Sequence, residues 1–156
     1  MPGIELPITD IRRAAADPAF CAAMGALYVE LDAEIAERRA VCLNRGACCD
    51  FERYGHRLYV TAVELAYFIA NAGVPLRAGG PAGDCPYRES GLCVARAGRP
   101  AGCRIFFCDP DAQTWQGPLT ERILDRLRHV GSRFGVPYVY VEWRAALWAL
   151  CERESC

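Results

Sequence analysis

The 156-residue chain has no lysine at all; every one of its 18 basic residues is an arginine. That absence excludes Schiff-base chemistry, a Walker-type phosphate-binding lysine and a lysine general base. Histidine is almost missing too, with only His56 and His129 present. Charge of one sign is also lacking: 19 acidic residues against 18 basic give a net charge of −1, with a pI near 6.1. Nothing in the bulk electrostatics therefore calls for a nucleic acid or an anionic membrane. No apolar run approaches the ~20 residues that cross a bilayer. At the N-terminus the arginines follow the apolar residues and no continuous hydrophobic region precedes them. No secretory signal is read there, and the expected location is the cytoplasm. There is no internal repeat, no low-complexity tract and no GxGxxG-type cofactor loop.

What is present fits one soluble globular domain over residues 1–156, with 53% hydrophobic and 24% charged residues. After a first short segment (Thr9 to Ala16), Phe20, Met24, Leu27, Tyr28, Leu31 and Ile35 recur at spacings of three and four. That stripe predicts an amphipathic helix over about 19–41. Arg57–Val60 reads as a short strand, and Thr61 followed by Glu64 as a capping box that opens a helix to about Asn71. Residues 73–118 are rich in Gly and Pro and show no helical period, so crosslinks by covalent or metal bonds are expected to fix them. A helix over Leu119–Phe134 stopped by Gly135, a strand within Val136–Trp143 and a helix over Ala145–Arg153 complete the reading. The expected fold class is mainly α with a small β element (α+β), helices framing an irregular cysteine-rich centre.

Ten cysteines are the second unusual feature. Seven of them, Cys42, Cys48, Cys49, Cys85, Cys93, Cys103 and Cys108, fall within residues 42–108, while Cys21, Cys151 and Cys156 lie outside. Buried inert thiols suit Cys21 and Cys151, which sit in helical patterns. They suit the seven poorly, because these stand among Gly, Pro and Arg. Disulfides are disfavoured by the expected reducing compartment and by the odd number. A metal centre remains: thiolates are soft ligands that select zinc, cuprous copper or iron–sulfur clusters, and four close a zinc or [4Fe–4S] site. Seven supply one site with spares, or two sites if a group such as His56 joins. Arg45, Arg88, Arg99 and Arg104 are candidates to offset thiolate charge, and Tyr87, Phe106 and Phe107 to exclude water.

The residues that carry a resemblance are Cys42-Leu-Asn-Arg-Gly-Ala-Cys48-Cys49, Cys85-Pro-Tyr, Gly91-Leu-Cys93 and Arg99-Pro-Ala-Gly-Cys103-Arg-Ile-Phe-Phe-Cys108. Together they resemble the YkgJ-type cysteine-cluster proteins, a zinc- or iron-chelating family with the motif CxxCxxCC followed by CP, C and RPxxCRxFxC. The resemblance implies that the seven cysteines are metal ligands. Arg45 stands where the motif has its second cysteine, which leaves seven of the eight thiolates and makes His56 the candidate replacement. Flagellin lysine N-methylases resemble the same domain and are associated with an iron–sulfur cluster, but they are much longer chains.

Two functions follow as expectations. The first is an iron–sulfur protein, with a [4Fe–4S] cluster as the cofactor, working in electron transfer or a redox-linked reaction with a protein or redox partner. The alternative is a Zn2+-binding structural or interaction module without catalysis. The spacings match neither ferredoxin pattern and show no paired CxxC knuckles of a zinc ribbon. The number of thiolates, more than a ribbon needs, favours iron–sulfur. A methyltransferase activity is supported only by the resemblance to the methylases.

Overall fold

The computed structural model describes residues 3–39, 57–78, 83–107, 110–154 and 156. Two antiparallel strand pairs and six α-helices are found among them. α1 (Ile8–Ala15) is followed by α2 (Pro18–Glu37), which opens on an Asp17 cap that accepts from the Ala19 N–H at 2.9 Å, with Pro18 at the first helical position. The six residues of the predicted stripe are the ones α2 buries. The helix ends at Glu37, short of the expected Ala40–Val41, where Arg39 turns into the left-handed region at φ 53°.

β1 (Tyr59–Thr61) pairs antiparallel with β4 (Tyr140–Glu142), Val60 opposite Val141, and forms the one small sheet expected from the two strand patterns. α3 (Ala62–Asn71) leaves β1 through the capping box at Thr61, as read from the sequence. α5 (Gln113–Phe134) stops at Gly135, whose φ of 68° is the left-handed cap. The Arg13 guanidinium, 2.9 Å from the Gly135 carbonyl and 3.1 Å from the Phe134 carbonyl, occupies the acceptors left there. α6 (Trp143–Glu152) opens on Glu142, which accepts from the Ala145 N–H. Ile11 of α1, Leu65 of α3, Ile123 of α5 and Leu147 of α6 meet in one core. Among the described residues no helix is long and apolar enough to cross a membrane.

Two expectations are corrected. α5 begins six residues before Leu119, and Pro118 lies inside it. The polar run Gln113–Pro118 has no apolar stripe to reveal a helix, but Trp115 packs against Phe107, and Arg38 lies over its ring at 5.7 Å. The second correction concerns residues 73–118, which are not structureless where described. They hold a hairpin of β2 (Arg88–Glu89) and β3 (Leu92–Cys93), a 3-10 turn (Arg96–Gly98) and the short helix α4 (Ala101–Ile105). Ser90 and Gly91, at φ 49° and 79°, have the positive angles of a two-residue hairpin turn. Gly98 packs so closely on α3 that a Cβ there would stand 2.9 Å from the Ala72 Cα.

Candidate metal centre

Of the seven cysteines, Cys85, Cys93 and Cys103 lie within the described residues; Cys42, Cys48, Cys49, Cys108 and His56 lie outside them. The hairpin fixes the first two around one residue. The Cys85 carbonyl accepts from the Arg88 N–H at 3.0 Å, and Cys93 is the cross-strand partner of Arg88. Cys85 is buried, and the indole N–H of Trp143 donates to its sulfur at 3.4 Å. Trp143 is itself 2% exposed, edge-on to Phe68, so the donor cannot swing away. Tyr87 anchors the same turn: its hydroxyl accepts from the Arg77 N–H at 2.8 Å and donates to the Pro75 carbonyl. Burial pushes the Tyr87 phenol up to about 12, against the Arg77 bond that favours its ionised form.

Cys103 sits on α4, and α4 is held by a carboxylate from a distant helix. Glu64 is 1% exposed. Its Oε2 accepts from the Thr61 N–H at 2.7 Å and the Thr61 hydroxyl at 2.9 Å, while its Oε1 accepts from the Ala101 N–H at 2.8 Å. One side chain thus caps both α3 and α4. Burial raises the Glu64 carboxyl above its ordinary value, opposed by these N–H bonds and by the charge of Arg104.

Arg104, next to Cys103, is buried and donates to the Arg99 carbonyl at 2.8 Å, the Ala97 carbonyl at 3.2 Å and Asp32 of α2 at 2.8 Å. Its guanidinium lies 4.1 Å over the ring of Tyr28. The charge expected to offset thiolates is shared here with a carboxylate and two carbonyls. Arg88 pairs with Asp84, and Arg99 donates to the Arg96 carbonyl. Tyr28 is fully buried, and among the described residues its hydroxyl has no hydrogen-bond partner.

Beside Cys103 is a cavity of about 220 Å³ lined by Arg57, Leu58, Tyr59, Phe106 and Tyr140, with the Tyr59 and Tyr140 rings 5.5 Å apart. Arg57, the first residue described after position 56, lines the cavity. Phe107, the last before position 108, and Arg38, near the end of α2, both meet Trp115. Phe107 is partly buried, whereas Phe106 is 38% exposed.

Among the described residues no three His, Cys, Asp or Glu side chains gather as a metal-holding group, so Cys85, Cys93 and Cys103 do not make one by themselves. Cys151 is buried in α6, where burial pushes its thiol up to about 12, and the half-buried Cys21 thiol donates to the Ala15 carbonyl. Both stand in helices, Cys21 in α2 and Cys151 in α6.

Sequence reasoning missed three residues: Glu64 beyond its capping box, Tyr28 and Trp143. The box gives no sign of the second helix it caps. Tyr28 reads as one more member of an apolar stripe, and Trp143 as a strand end. Comparisons with protein-family models, curated proteins and solved structures find no match. The likeness to the YkgJ-type proteins therefore stands on the quoted motif.

Proposed function

We propose that the chain holds a thiolate-bound metal centre, an iron–sulfur cluster of the [4Fe–4S] type, serving electron transfer or a redox-linked reaction with a protein partner. The observation that carries this reading is the setting of Cys85, whose buried sulfur receives an N–H bond from Trp143. Hydrogen bonds of that kind stabilise a thiolate ligand and set the potential of a cluster.

When bound, a cluster of this kind supplies one-electron chemistry. The chain's own contribution is to hold the sulfurs, through the Ser90–Gly91 turn for Cys85 and Cys93 and through Glu64 and Arg104 for Cys103.

The deciding experiment is a visible spectrum with metal and acid-labile sulfide analysis on protein purified without oxygen. Iron and sulfide near ~4 each per chain are expected. The charge-transfer absorption should vanish in Cys49→Ser, Cys85→Ser or Cys103→Ser, and a spectrum unchanged in all three overturns the reading. A colourless protein with one or two zinc ions would instead make it a structural module whose central segment unfolds on chelation.

A further inference from the structure

We draw no further inference here: the strongest candidate, the cavity beside Cys103 that Leu58, Tyr59, Phe106 and Tyr140 line between β1, β4 and α4, is a half-exposed apolar face, and nothing in the structure shows what covers it.

Discussion

In α2 order comes from six apolar positions at three- and four-residue spacing, all buried against one core. In residues 83–107 the apolar contribution is small: Cys85, Tyr87, Ala95, Ala101 and Ile105 reach the core. Polar groups do the rest. Arg104 binds the carbonyls of residues 97 and 99, Arg77 binds the carbonyl of Pro86 and the carboxylate of Glu89, and Glu64 caps α4. The frame is held by non-directional burial, which tolerates small shifts. The cysteine-bearing stretch is held by directional bonds, which set the backbone carrying each sulfur.

Substitutions of graded severity separate the two kinds. The largest loss is expected in the frame: Leu147 is 0% exposed, and Leu147→Ala should cost about 2–5 kcal/mol in urea unfolding through the cavity it leaves. A frame that absorbs this change with little loss would show that its packing is not what carries the fold.

Next in size is Glu64→Gln. An amide has one acceptor oxygen, and whichever side its NH2 takes faces an existing donor, so about 1–3 kcal/mol should be lost. Because burial raises the Glu64 carboxyl, the folded chain binds that proton more tightly than the unfolded chain. Its contribution is full below the ordinary glutamate range and declines as the pH climbs through the raised value. The stability gap between wild type and Glu64→Gln should therefore narrow from about pH 4 to about pH 8 in equilibrium unfolding. A gap that widens over that range would show that the folded chain prefers the ionised carboxylate.

Arg104→Lys keeps the charge and loses the planar fork that joins two carbonyls and Asp32. About 1–2 kcal/mol should be lost, with hydrogen exchange rising first at residues 96–104. Uniform exchange changes across α1 and α6 would instead place Arg104 in the frame.

The smallest effect is expected at Arg126. Together with Arg122 it reaches across to α2, pairing with Glu30, and both partners are exposed. Arg126→Ala should change stability by less than about 1 kcal/mol, checked by the same unfolding measurement.

Much of the frame is legible in the sequence. The α2 stripe, the Thr61–Glu64 box and the Gly135 stop are local signals, decided by residues within one or two turns of each other. The start of α5 was not legible, since Gln113–Pro118 carries polar residues and a proline. Trp115 among them meets Phe107, eight residues earlier, and Arg38, far back in the chain. The hairpin at Ser90–Gly91 had only a two-residue signature, too short to stand out in a Gly- and Pro-rich stretch.

For the candidate site, the sequence by itself determined which atoms are available: seven clustered thiols, one histidine among them, and no lysine to compete for other chemistry. Side-chain chemistry is a property of single residues, so composition and spacing suffice for it. Only the tertiary structure decided the surroundings of the sulfurs. It set the Trp143 indole against Cys85, turned the second oxygen of Glu64 from its own helix to the one that bears Cys103, and laid the Arg104 guanidinium of that helix over the Tyr28 ring. Those relations join residues 37 to 76 positions apart, and a contact across such a distance exists only once packing has brought its two ends together.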